Sequence, residues 1–249
     1  MADIFSPMAV REPIPTLFRA DRDAILQHLS SNDAKLARVI ARVGHCNVRL
    51  MRGHTLYESL LRSIVYQQLA GKAAAAIFLK VQKLYVPEGN GTGPMEDALT
   101  GGDIRIPRKT KALPYPSPEQ IANSSDALLR SAGLSTAKTA AVKDLAAKAL
   151  DGTVPSLAAA RFLTDEQLIE RLITIRGVGR WTVEMMLMFR LGRLDVLPVG
   201  DYGVRKGFQL TYGLADLPTP EQMHRRAKKW MPYRSVASWM MWRVLEFKD

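Results

Sequence analysis

Along most of the chain, apolar residues return every third or fourth position. Tyr57, Leu60, Leu61, Ile64, Val65 and Gln68 fall on one helical face. The alanine-rich stretch from Lys72 to Leu84 continues as a second helix. Residues 86–116 break the rhythm with five glycines, five prolines and few large apolar side chains, which predicts a surface insertion. Helical punctuation resumes at Ser117-Pro118-Glu119-Gln120, a capping box with proline at the first helical position. Gly133 is expected to end that helix, Ser135 to start another and Gly152 to end it. Thr164-Asp165-Glu166-Gln167 and Thr219-Pro220-Glu221-Gln222 are two further capping boxes. The last helix turns Val236, Met240, Met241, Val244 and Leu245 toward a core. Alternating runs of β-branched residues are nearly absent, so the expected fold class is all-α, with roughly ten helices.

Composition narrows the function. Apolar residues make up 47% of 249 positions, enough for a sizeable core. The formal charge of +11 favours a polyanionic partner, nucleic acid or an anionic membrane surface. No helix pairs a basic face with an apolar one, and no apolar run approaches about 18 residues, so a membrane role is not expected. Cys46 is the one cysteine, which excludes an internal disulfide and a four-cysteine metal or iron–sulfur site. His28, His45, His54 and His224 show no metal-ligand spacing. Met1 to Pro15 reads as neither signal nor transit peptide, so a cytoplasmic or nucleoid location (nuclear in a eukaryote) is expected.

The informative segment runs from Leu172 to Phe208. A helix from Thr164 to about Ile175 leads into the tight turn Gly177-Val178-Gly179, and an apolar helix follows from Arg180 to Leu191. Glycines in such a turn permit close backbone approach to another molecule. The second helix begins with unpaired N–H groups and its positive dipole end, which suits one phosphate. The same pattern is open to a plainer reading as a helix–turn–helix corner. The basic flanks Arg176 and Arg180, the apolar Val178 and an aspartate downstream favour the anion site.

Leu172-x-x-Ile175-x-Gly177-Val178-Gly179-x-x-Thr182, followed by Leu197-Pro198-Val199-Gly200 and then Asp201, resembles the helix–hairpin–helix DNA glycosylase superfamily that carries a Gly/Pro-rich loop and an aspartate. Within it the likeness is greatest to the 3-methyladenine DNA glycosylase II type. Arg62 to Gln68 resembles the family's helix that ends at the residue wedged into the DNA stack. The likeness covers about residues 55–85 and 115–247. It implies two helical lobes, approximately 57–190 and 1–56 plus 191–249, with a DNA-binding cleft between them. The family's larger bacterial forms have an extra N-terminal β-domain; the first fifty residues here look helical, so none is expected.

The resemblance implies roles. Asp201 is the catalytic carboxylate, stabilising positive charge on the sugar and orienting a water. Asp201 also precedes a helix, Tyr202 to Tyr212, and serving as its N-cap is the alternative, which catalysis does not exclude. Asp195 reads as a loop brace. Trp181 and Trp242 match aromatic positions of the base pocket; Tyr66 and Trp239 are weaker candidates, and Met185 stands where some members carry a tyrosine. A cationic alkylated purine is attracted to such faces. Gly177, Val178, Gly179, Thr182, Arg176, Arg180, Arg205 and Lys206 are the expected DNA contacts. Gln68 is the expected wedge, with Leu69 as its rival. Trp181 occupies the position at which strand-cutting members place a lysine, so no Schiff base is expected there.

The expectation is therefore a monofunctional glycosylase releasing alkylated purines from double-stranded DNA by base flipping, working as a monomer. No cofactor is expected, a monovalent cation at the hairpin being the one candidate ion. A glycosylase of other base specificity and a non-catalytic hairpin DNA-binding protein are the alternatives. The basic cluster Arg105, Arg108, Lys109, Lys111 reads as a solvated loop.

Overall fold

The computed structural model describes residues 12–86 and 113–247. Most of the expected insertion, with its basic cluster, therefore lies outside the described residues. The helices are α1 (Arg22–Asn32), α2 (Ala34–Val43), α3 (Leu56–Tyr66), α4 (Gly71–Lys83), α5 (Pro118–Asn123), α6 (Asp126–Ser131), α7 (Thr136–Leu150), α8 (Leu157–Ala160), α9 (Asp165–Leu172), α10 (Arg180–Phe189), α11 (Tyr202–Tyr212), α12 (Pro220–Ala227) and α13 (Arg234–Val244). A 3₁₀ turn spans Lys228–Trp230, and the one β feature among the described residues is an isolated bridge between Thr16 and Arg193. The all-α class holds. The helix number exceeds the expected ten because extra caps cut the chain more finely. Ser125 accepts from the Leu128 N–H and starts α6, so the single helix expected from Ser117 to Gly133 is two. The capping boxes at Ser117, Thr164 and Thr219 form, and Thr55 with Glu58 adds another at the head of α3.

The chain divides into two compact units. One comprises the described parts of Met1–Gly53, Leu157–Glu170 and Gly179–Asp249; the other comprises those of His54–Ser156 and Arg171–Val178. Helix α10 thus groups with the terminal segments, and the boundary falls at Gly179 rather than at the expected residue 190. No described helix is long and apolar enough to cross a membrane.

In the first unit, α1, α2, α11 and α13 surround a core of Ile25, Leu29, Leu36, Phe208, Trp230, Met240 and Met241. Helices α11 and α13 pack closely because Gly207 offers no side chain: a Cβ there would lie 2.0 Å from the Met241 carbonyl oxygen. Glycine inside a helix costs about 1 kcal/mol against alanine, and this approach is what it makes possible. Asp33 is 2% exposed and caps α2 through the N–H groups of Lys35 and Leu36. Its other oxygen accepts from the Tyr212 hydroxyl and from the Trp230 indole at 3.1 Å, and pairs with Lys229 at 3.0 Å. A carboxylate this deep is tolerable only with such partners. Burial pushes its carboxyl up, but these hydrogen bonds outweigh burial and hold it below the ordinary carboxylate value.

In the second unit, α7 packs against α3, α5 and α6, and α3 against α4. The face read from sequence is the buried one: Tyr57, Leu60, Leu61, Ile64 and Val65 are all withdrawn from solvent, whereas Gln68 lies beyond the helix and is exposed.

Candidate active site

Asp201 is both a cap and the centre of a hydrogen-bonded cluster. Its Oδ1 accepts from the Val204 N–H at 2.7 Å, which caps α11. The same oxygen accepts from the Trp242 indole N–H at 2.8 Å. Its Oδ2 accepts from the Trp181 indole N–H, also at 2.8 Å. Residues from the first turn of α10, the start of α11 and the last turns of α13 thus meet on one carboxylate. Three donors fix its orientation, and it in turn fixes the edges of two tryptophan rings.

The two rings differ in setting. Trp242 is half-buried and stacks on Phe189, with centroids 5.7 Å apart. Trp181 is 50% exposed, so a broad aromatic surface stands open beside the carboxylate. Tyr202, next to Asp201, is 66% exposed and was not singled out from sequence. Gly203 was also missed. A Cβ on it would lie 2.7 Å from Trp242 Cδ1, so glycine at this place is what admits the indole. The sequence signal was available: Gly203-x-x-x-Gly207 on a helix that packs closely against another. Met185 is half-buried one turn beyond Trp181. Trp239, a weaker pocket candidate, belongs to the core at 8% exposure.

Charge around α10 is internally matched. Arg180 makes a two-pronged bond to Glu166 at 2.9 and 2.8 Å and reaches Glu184 at 3.2 Å. Arg180, expected among the DNA contacts, is thus tied within the protein, with its side chain still 55% exposed. Burial pushes the Glu184 carboxyl up, Arg180 draws it back, and Glu166 and Asp201 push it up further. Asp195 braces the start of α13 through a two-pronged bond to Arg234 at 2.7 and 2.8 Å. Among the described residues, no group of three or more His, Cys, Asp or Glu side chains is arranged to hold a metal ion.

The turn has the backbone expected of it. Helix α9 stops at Leu172, earlier than the expected Ile175, and tight turns follow: the Ile175 N–H donates to Leu172 O at 3.1 Å and the Val178 N–H to Ile175 O at 3.0 Å. Gly177 has φ +78°, which favours glycine, and Val178 is buried at 4% exposure, anchoring the turn. Gly179 is the N-cap of α10 and gives it no side-chain cap. The first N–H groups of α10 have no acceptor within the helix. Arg176 is exposed, with its backbone N–H on Asp144 at 2.7 Å. Thr182, expected among the DNA contacts, is instead buried at 8% exposure, leaving its backbone N–H as the group it can offer. Arg205 and Lys206 are half-buried, bonded to Pro218 O and to the Gln209 side chain.

In the second unit, the α3–α4 junction exposes Gln68 and Leu69. Gln68 is the only described non-glycine residue with positive φ, at 57°. Gln67, passed over in the sequence, donates from its side chain to Gly177 O at 2.8 Å. The Tyr66 ring carries the Arg62 guanidinium at 4.1 Å from its centroid and meets Phe78 edge-on.

The chain is similar in sequence and fold to known proteins. The family model for the HhH-GPD superfamily of base excision DNA repair proteins covers residues 61–233. "DNA-3-methyladenine glycosylase 1" of Schizosaccharomyces pombe is 32% identical over 223 residues, 89% of this chain and 87% of that one. "DNA-3-methyladenine glycosylase 2" of Escherichia coli is 27% identical over 186 residues, 75% of this chain and 56% of that one. A solved structure of the fission-yeast 3-methyladenine DNA glycosylase in complex with abasic DNA matches with a TM-score of 0.69, covering 91% of this chain and 98% of that one. The chain belongs to the HhH-GPD superfamily of base excision DNA repair proteins.

Proposed function

We propose that the chain is a monofunctional DNA glycosylase of the 3-methyladenine DNA glycosylase II type, releasing alkylated purines such as 3-methyladenine and 7-methylguanine from double-stranded DNA. The observation that carries this reading is the Asp201 carboxylate held by the indole N–H groups of Trp181 and Trp242, each at 2.8 Å. The cluster pairs a fixed negative charge with an open aromatic face, the two features that breaking the glycosidic bond of a cationic purine calls for.

In this reading the α10 N-terminus and the turn at Gly177 to Gly179 grip a phosphate, with Arg176, Arg205 and Lys206 adding charge. Gln68 or Leu69 fills the gap left by the flipped nucleotide. The base stacks on Trp181 by cation–π attraction worth roughly 0.5–2 kcal/mol. The bond from the sugar to the purine nitrogen breaks, its electron pair leaving with the base. Positive charge builds on the sugar opposite Asp201. At about 4 Å and an effective dielectric near 20, that attraction is worth roughly 4 kcal/mol, about three powers of ten in rate. Water adds to the sugar carbon and its proton passes to Asp201, leaving an abasic site. Trp181 cannot form a Schiff base, so the strand stays intact.

The test is release of 3-methyladenine and 7-methylguanine from methylated duplex DNA, with and without Asp201→Asn. Asparagine caps helices as well as aspartate does, so the variant should fold and still bind DNA. Release should fall about a thousandfold. Wild-type rates in the variant would reject the assignment of Asp201. A covalent adduct trapped by borohydride would reject the strand-sparing reading.

A further inference from the structure

Beyond the catalytic cluster, the second unit holds a buttress that the base-release reading does not use. Lys138, in the first turn of α7, donates from Nζ to Val65 O at 2.6 Å and to Gln67 O at 2.8 Å. Both carbonyls lie at the C-terminal end of α3, where the helix leaves its acceptors unpaired and its dipole is negative. Burial pushes the Lys138 ammonium down from its ordinary value, so its charge has been drawn partly out of water to reach them. Gln67 lies between this ammonium and the hairpin: its carbonyl accepts from Lys138, and its side-chain amide donates to Gly177 O. The next residue is Gln68, held at φ 57°.

Left-handed backbone in a non-glycine residue persists where its surroundings determine it. Here they do. The carbonyl just before Gln68 is fixed by Lys138, the Gln67 side chain by the hairpin, and two residues beyond Gln68 the chain is committed to Ala70, the N-cap of α4. We infer that Lys138 is a positioning residue: through Gln67 it locks the exposed Gln68-Leu69 pair and the Gly177 turn into one rigid element, so that the DNA-intruding residues and the backbone grip act together. The inference rests on the glycosylase reading above. It assigns Lys138 no contact with the reacting atoms.

Three consequences follow for Lys138→Met, which keeps length and removes the donor. Single-turnover release of 7-methylguanine from a fully paired duplex should fall by about tenfold or more. Affinity for undamaged duplex should change by less than about threefold, because no phosphate contact is lost. The deficit in release should shrink when the damaged base sits opposite a mismatch or an abasic site, since an unpaired base needs less intrusion to leave the stack. Lys138→Arg, which keeps the charge and the donors, should restore most of the rate. A purely structural lysine would lower the melting temperature and the rate on both duplexes equally, and that outcome overturns the inference, as does a wild-type rate for Lys138→Met. Failure of the wild-type protein to release methylated bases would instead overturn the base-release reading. Should Lys138→Met not fold, Gln67→Leu, which breaks the link at Gly177 alone, should show the same dependence on pairing. An equal deficit on both duplexes would then reject the coupling.

Discussion

Gly203→Ala gives the sharpest test of the site's geometry, because it leaves Asp201 and both tryptophans in the sequence. The added Cβ would lie 2.7 Å from Trp242 Cδ1, 2.9 Å from Trp242 Nε1 and 3.2 Å from Asp201 Oδ1. Ordinary contact begins at 3.4 Å, so the indole must retreat by about 0.7 Å, the difference between 3.4 and 2.7. The Trp242–Asp201 bond is 2.8 Å. A retreat of that size along the bond takes it to roughly 3.5 Å, beyond good hydrogen-bond geometry. Losing a hydrogen bond to a charged acceptor costs about 1.5–3 kcal/mol. Expressed in the transition state, that is about 10- to 150-fold in rate. Stability should move less: overpacking costs about 1–3 kcal/mol, and alanine returns up to about 1 kcal/mol in helix propensity. Single-turnover release of 7-methylguanine, alongside thermal melting, separates the two effects. A variant that melts a few degrees lower yet releases base at the wild-type rate would refute the argument that Trp242 must be seated on Asp201.

The other expectations concern the scaffold. Gly207→Ala drives a Cβ to 2.0 Å from Met241 O, a backbone atom that cannot swing aside, so α11 and α13 must part. A loss of about 3 kcal/mol or more is expected, and thermal melting that shows less than about 1 kcal/mol would contradict the close packing. Asp33→Asn should cost about 1–3 kcal/mol at pH 7 by removing the charged partner of Lys229, Tyr212 and Trp230. Because the folded Asp33 carboxyl is held below its unfolded value, its contribution is complete above the unfolded value of about 4 and fades as pH falls through the folded one. The gap between wild type and variant should therefore narrow below about pH 4; melting curves with a constant gap from pH 7 to pH 3 would rule this out.

The sequence by itself determined the local chemistry. Capping boxes at Ser117, Thr164 and Thr219 set three helix starts, and the three-to-four rhythm of α3 named its buried face. These signals are readable because a cap or a face is decided within one or two turns of chain. The spacing from Gly177 to Asp201 identified the family for the same reason: a motif is a local arrangement. Whether Asp201 does more than cap a helix could not be read locally; the structure shows the Val204 N–H and two indole N–H groups on one carboxylate. That answer depends on Trp242, 41 residues away, and on the absence of a side chain at Gly203. Lys138 and Gln67 were invisible in the sequence because a lysine on a helix and a glutamine at a helix end are ordinary there. Only the fold brings an ammonium from α7 to the carbonyls that end α3. Thr182 and Arg180 show the same limit: their place in the motif suggested contact with DNA, and only packing shows that one side chain is buried and the other paired with Glu166. The chain's local pattern fixes what each segment can offer. Which carbonyls, indoles and carboxylates meet is decided by packing between segments distant in sequence, where burial makes every unpaired polar group costly.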